Sequence, residues 1–154
     1  MKKAEVDKLY KVPEIKPQTV CICGSTKFKD DMMELARNYT TANRIVVMPN
    51  VFAHSEDPQT DEAKELLDGL HLWKIRKSSF VAVVCRDFYV GKSTIREMNY
   101  AYDRGLEIFV FNNGDFVFTF SQHSNKNFSL VMLNFSEQSR NIYYDMFVKK
   151  ETKS

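Results

Sequence analysis

The sequence predicts an α/β fold built on a parallel sheet, and three observations lead there. Short apolar runs alternate with segments whose apolar residues recur at helical spacing. The connections between them are short, as strand–helix–strand units require. The turns after the first and third apolar runs, Gly24-Ser25-Thr26 and Gly91-Lys92-Ser93-Thr94, suit a strand handing over to a helix.

Taken in order, residues 1–18 are polar, carry Pro13 and Pro17, and read as an arm outside the core. Thr19 to Cys23 is a β-rich run closed by the first of those turns. Phe28, Met32, Leu35 and Tyr39 then mark one face of a helix that should end near Asn43. Arg44 to Met48 reads as a second strand, closed by Pro49, and Val51 to Thr60, with His54, as a loop. A helix is expected from about Asp61 to Lys77, with Leu66, Leu67, Leu70, Trp73 and Lys74 as its inward face. Phe80 to Cys85 is the third strand and Ser93 to Arg104 the third core helix, with Gly105 suited to the position just past its end. Leu106 to Phe111 is the fourth strand. Asn113-Gly114 between alternating runs predicts a β-hairpin. Ser129 to Phe135 is expected as a further strand and Arg140 to Val148 as a final helix. The chain reads as one domain, residues 1–154, with a core of about 19–112 and an extension of about 113–148. The aromatic residues of the extension suit either a cover for the core or a subunit contact.

The 154 residues carry a formal charge of +2, too little to argue for nucleic acid or a membrane surface as partner. No apolar run approaches a membrane span, and the opening residues have lysines but no apolar stretch of a secretory leader. Three cysteines, an odd number, suit a reducing compartment, so a cytoplasmic location is expected. Cys21, Cys23 and Cys85 lie in strands and read as buried thiols. No histidine sits at ligand spacing from them, and neither a metal nor another cofactor is expected.

Gly91-Lys92-Ser93-Thr94 imitates a phosphate-binding P-loop, but the glycine five positions before the Gly-Lys pair is Arg86 here. What remains is a hydroxyl-rich loop at a helix start, suited to phosphate or carboxylate. Gly24-Ser25-Thr26-Lys27 has the same character, unless Ser25 or Thr26 merely caps a helix. The two turns face one crevice if their strands are neighbours. Asp30 and Asp31 should partly offset any attraction for an anion there. Glu97 is either a reactive carboxylate or, in Thr94-Ile95-Arg96-Glu97, the reciprocal member of a capping box. His71 either faces the sheet's carboxyl edge or is a partly buried histidine. No Ser/His/Asp spacing indicates a hydrolase triad.

Cys23-Gly24-Ser25-Thr26-Lys27-Phe28, then His71, Lys74 and Ile75, then Tyr89 through Ala101 with Glu97 inside, together resemble the nucleoside 2-deoxyribosyltransferase-like superfamily, which includes the 2′-deoxynucleoside 5′-phosphate N-hydrolases. The resemblance covers residues 19–112 and points to a phage and bacterial branch. It implies a Rossmann-like, flavodoxin-like three-layer fold and attack by Glu97 on the anomeric carbon of a deoxyribose. It also implies that Gly24, Ser25, Thr26, Lys27, Phe28, Tyr89, Gly91, Lys92 and Ser93 hold the sugar or phosphate of a nucleoside or nucleotide, without a cofactor. A homodimer or larger assembly is expected on the same ground. His71 stands where the family usually has an aspartate that handles protons at the leaving base. Cys21 replaces the first-strand tyrosine of some relatives, for which Tyr89 is the candidate substitute. The rival expectation is a nonenzymatic nucleotide-binding or sensing module, with Glu97 as a cap.

Overall fold

In the computed structural model, residues 2–49, 60–124 and 126–149 are described. The expected loop with His54 lies outside them except for its last residue, Thr60. The elements run α1 (Lys3–Leu9), β1 (Thr19–Gly24), α2 (Lys29–Thr41), β2 (Ile45–Val47), α3 (Asp61–Arg76), β3 (Phe80–Cys85), α4 (Lys92–Asp103), β4 (Ile108–Asn112), β5 (Asp115–Phe120), α5 (Phe128–Met132) and α6 (Glu137–Tyr143). The strands form one sheet in the order β2-β1-β3-β4-β5. Four are parallel, and β5 pairs antiparallel with β4 at the edge. This is a Rossmann-like, three-layer α/β fold.

Two faces of the sheet explain why β1 and β3 are apolar throughout. Side chains alternate across a strand, so Val20 and Ile22 of β1, with Ala82 and Val84 of β3, pack towards α2 and its buried Met32. Cys21, Cys23, Val81, Val83 and Cys85 face the other way, onto Ile75 of α3 and Ile95, Met98 and Ala101 of α4. Both faces are covered, as expected of a parallel sheet.

Helix ends follow their capping residues. Thr60 accepts a hydrogen bond from the Ala63 N–H at the start of α3. Gly105, with φ +77°, follows α4 where the chain turns through the left-handed region towards β4. Asn113 and Gly114, at φ 53° and 87°, make the predicted tight hairpin between β4 and β5.

Three expectations are corrected. The arm contains the short helix α1, which buries no residue. The segment expected as a strand from Ser129 to Phe135 is mostly helical, as α5. Asn127 caps it by accepting from the Ser129 N–H at 2.8 Å. Its β-like composition hid a helical period, because Phe128, Val131, Met132 and Phe135 are buried while Leu130 and Leu133 are exposed. The third correction is the phase of α3. Leu66, Leu70 and Trp73 are 64%, 45% and 53% exposed, whereas His71 and Ile75 are buried. The Arg76 guanidinium lies 4.6 Å from the centre of the exposed Trp73 ring.

The extension covers the core. Phe120, Phe128, Val131, Met132 and Phe135 belong to the same buried cluster as β3 and α4. Among the described residues, no helix is long and apolar enough to cross a membrane.

Candidate active site

In a sheet of order 2-1-3-4-5, ligands bind beyond the carboxyl ends of the strands, where the strand order reverses between β1 and β3. Those two strands are direct neighbours, with Gly24 opposite Val84. The turns expected to face one crevice therefore leave the sheet side by side. The close approach needs a glycine, since a Cβ at Gly24 would lie 2.8 Å from the Val84 carbonyl oxygen.

The first turn continues as a single 3₁₀ turn, Thr26–Phe28. The Ser25 hydroxyl accepts from the Lys27 N–H at 3.2 Å, so it does cap locally. Phe28 packs into the core on the α2 side of the sheet. Lys27 is exposed, and its ammonium lies 5.9 Å from the centre of the Tyr89 ring, joining the two turns. Asp31 accepts two hydrogen bonds from Arg86, at 2.7 and 2.9 Å, so a fixed cation already meets its charge.

The second turn is held from a distance. Asp87 and Phe88 adopt φ 51° and 56°, unusual for residues with side chains. The Asp87 and Phe88 N–H groups donate to the side-chain oxygens of Asn113 and Asn112, at 3.0 and 2.9 Å. The Ser136 N–H donates to the Phe88 carbonyl at 2.8 Å. Ser139 accepts from the buried Val90 N–H and donates to the Val90 carbonyl, at 2.8 and 2.9 Å. Gly91 then opens α4 without a side-chain cap, which leaves the first N–H groups of a twelve-residue helix available to an anion. Lys92 lines, with Arg96, Asp145 and Phe147, a cleft of about 610 Å³ beside the C-terminal segment.

Because α4 begins at Lys92, Thr94 is its third residue and not its cap, so the capping box is not formed. Glu97 lies farther along, with its Oε2 3.5 Å from His71 Nε2, and its side chain keeps 14% of its surface exposed. That Oε2 and His71 Nδ1 are both buried without a hydrogen-bond partner among the described residues. Arg96 and Asp68 pair at 3.4 Å and tie α4 to α3 beside this contact. Lys74 donates to the Met48 carbonyl at 2.7 Å and anchors α3 near the end of β2.

Beneath Glu97 lies a group that sequence reasoning did not assemble. His71 Nε2 is 3.6 Å from Cys23 Sγ and 4.0 Å from Cys21 Sγ. The three donor atoms lie within 4.8 Å of one another, and all three residues are buried. The alternation of β1 that aims both thiols at the α3–α4 face was visible in the sequence, but the rotation of α3 that brings the imidazole to them was not. The Cys21 thiol is pulled down to about 6, first by its hydrogen bond with Cys23 and then by His71, against the opposing effect of burial. Cys23 is pushed well up by that same hydrogen bond, by burial and by Glu97. For His71, burial lowers the pKa, but Cys21 and Glu97 together hold it at about 10. Cys85, apart from the group, is pushed up to about 12 by burial. His123 lies at the opposite edge of the sheet, beside Gly105 and a cleft of about 540 Å³.

The structure thus gathers Gly24, Ser25, Lys27, Tyr89 and Gly91 in two adjoining turns. Glu97 and His71 form a separate pair where α3 meets α4. Comparison with known proteins finds no matching family model, no matching curated protein and no matching solved structure.

Proposed function

We propose that the protein cleaves, or transfers across, the N-glycosidic bond of a (deoxy)nucleoside or nucleoside 5′-monophosphate. The observation that carries this reading is Glu97, a carboxylate on the helix that starts at the strand-order reversal, set against a buried histidine rather than used as a cap. Its carboxylate attacks the anomeric carbon, the base departs, and a glycosyl–enzyme ester forms. Water or a second base then displaces Glu97. Splitting one difficult displacement into two in this way is the general advantage of covalent catalysis. His71 supplies a proton to the leaving base and recovers it in the second step.

The uncapped start of α4, with the Lys27 ammonium and the Ser25 and Ser93 hydroxyls, supplies donors for a 5′-phosphate. Tyr89, near both Lys27 and Gly91, is the residue we assign to the sugar. A binding-only module would keep the phosphate donors but has lost its account of Glu97, since no capping box forms. The protein is further proposed to act in the cytoplasm as a homodimer or larger assembly. The exposed Leu66 and Leu70 on α3 are apolar surface that such an assembly could cover. Light scattering should then give at least twice the 18.0 kDa of one chain, and a monomer at working concentration would remove that part of the proposal.

The test is to incubate the protein with a panel of deoxynucleosides and their monophosphates and follow free base by chromatography. At least one substrate should release base, and Glu97→Ala should lower turnover by roughly 10⁴-fold or more. Turnover that survives Glu97→Ala would exclude the mechanism. Tight nucleotide binding with no base release would establish the binding module instead.

A further inference from the structure

We infer that Cys21, Cys23 and His71 form a binding site for a zinc-type divalent ion, with Glu97 as the fourth ligand. This does not rest on the glycosidic reading, and it competes with it for two residues. The donor set of two thiolates, an imidazole and a carboxylate is chemically that of four-coordinate zinc.

The spacing of the donors supports the assignment. An ion bonded at about 2.3 Å to sulfur and 2.0–2.1 Å to nitrogen and oxygen, in tetrahedral geometry, holds S and N roughly 3.5–3.6 Å apart and N and O roughly 3.3 Å apart. The separations here are 3.6 and 4.0 Å for S···N and 3.5 Å for N···O. A shift of a few tenths of an ångström closes the edges that meet at His71 Nε2; the donor atoms of Cys21, Cys23 and His71 lie within 4.8 Å of one another, and Glu97 moves further to complete the four.

Burial supports it independently. His71 is 5% exposed, and both thiols are fully buried. Glu97 Oε2, beside the same imidazole nitrogen, is a buried oxygen with no hydrogen-bond donor among the described residues. Bonding to an ion satisfies that oxygen. It also converts two buried sulfurs and a part-buried carboxylate, otherwise costly as anions, into ligands of a dication. Any proton on the two thiols or on the imidazole Nε2 passes to solvent on binding, so the sulfurs bind as thiolates and His71 as the neutral ring. The three ligand-bearing elements, β1, α3 and α4, all contribute to one buried cluster.

The ion and the proposed displacement exclude each other, because bound metal takes the lone pairs of Glu97 and His71 that the reaction needs. Zinc-loaded protein should release no base even if the metal-free protein does.

The experiment uses the full chain, stripped with a chelator and titrated with cobalt(II), then with zinc(II) against a chromophoric competitor. The expected result is one equivalent per chain, with visible absorption of tetrahedral cobalt and a thiolate-to-metal charge-transfer band, both abolished by zinc. Cys21→Ser and Cys23→Ser should each weaken affinity by more than the roughly 10–100-fold that loss of an outer-shell partner costs. Glu97→Gln should weaken binding yet keep the charge-transfer band. A wild-type chain, shown folded by circular dichroism, that gives no such band with stoichiometric cobalt would overturn the inference, whether or not the variants fold. Binding unchanged in folded Cys21→Ser or Cys23→Ser would do the same. Base release is measured separately on metal-free protein, so either reading can fail alone.

Discussion

Glu97 draws its proposed reactivity from the buried imidazole 3.5 Å from its carboxylate. His71 is the more informative position to change. His71→Gln keeps a polar nitrogen at the reach of Nε2 but removes the group proposed to handle protons at the leaving base. The expected outcome is a fall in kcat of about 10²–10⁴-fold with KM little changed, read by steady-state kinetics on the best substrate of the panel. Gly24 gives a second prediction at this scale. A methyl group there meets the backbone oxygen of Val84 rather than a side chain that can move aside. Gly24→Ala should therefore cost about 1–3 kcal/mol, seen as a lower urea midpoint at unchanged slope. Gly24 and Glu97 could be singled out in the sequence because the turn and helix chemistry that marks them is local. The His71 contact could not, because Cys21 lies 50 residues away and the meeting depends on the phase of one helix. Leucines at 66, 67 and 70 suggested one inward face. The true face is turned by about one residue, roughly 100° around the axis.

Among the elements, the turn from β3 into α4 is the one whose shape the site depends on. Its two positive-φ residues are held by side chains of β4 and the hairpin, and the neighbouring Val90 by Ser139 of α6. Asn112→Ala removes the acceptor of the Phe88 N–H, and Ser139→Ala strands both polar groups of the buried Val90. Leaving a buried donor unsatisfied costs about 1–3 kcal/mol. Each variant should lose stability on that scale. Each should also raise KM for a nucleotide more than it lowers kcat, because the proposed phosphate loop loosens while the Glu97–His71 pair stays. Hydrogen exchange at residues 86–91 should accelerate in both, and protection equal to the wild type would show that the turn holds itself. The hairpin itself was legible, because Asn-Gly between alternating strands is a local signal. Its second task, clamping the site loop with Asn112 and Asn113, is a tertiary contact that no short-range pattern encodes.

Across the whole molecule, the sheet could be read in advance because alternating strands and helices admit few arrangements. The part played by residues 113–148 could not, since a dense run of aromatics serves equally to cover a core or to meet a partner. In the structure it covers the core, and it also supplies Ser136 and Ser139 to the site loop. Chain shortened to residues 1–121 loses Phe128, Val131, Met132 and Phe135 together. At about 2–5 kcal/mol for each large buried side chain, that loss rivals the whole 5–15 kcal/mol of a typical domain. The shortened chain should show no cooperative thermal transition by calorimetry. A sharp transition near that of the full chain would mean the extension is an accessory.

The central claim is that Glu97 forms a bond to the sugar, and trapping that bond tests it most directly. A 2′-fluoro-arabino nucleoside 5′-monophosphate slows both displacement steps by opposing positive charge at the anomeric carbon, and a good leaving base lets the first step outrun the second. Metal-free protein incubated with such a compound should gain the mass of one fluorinated sugar phosphate per chain. Peptide mapping should place that mass on Glu97, and Glu97→Gln should gain none. Base release from natural substrate without any trapped adduct, or an adduct on another residue, would contradict the account.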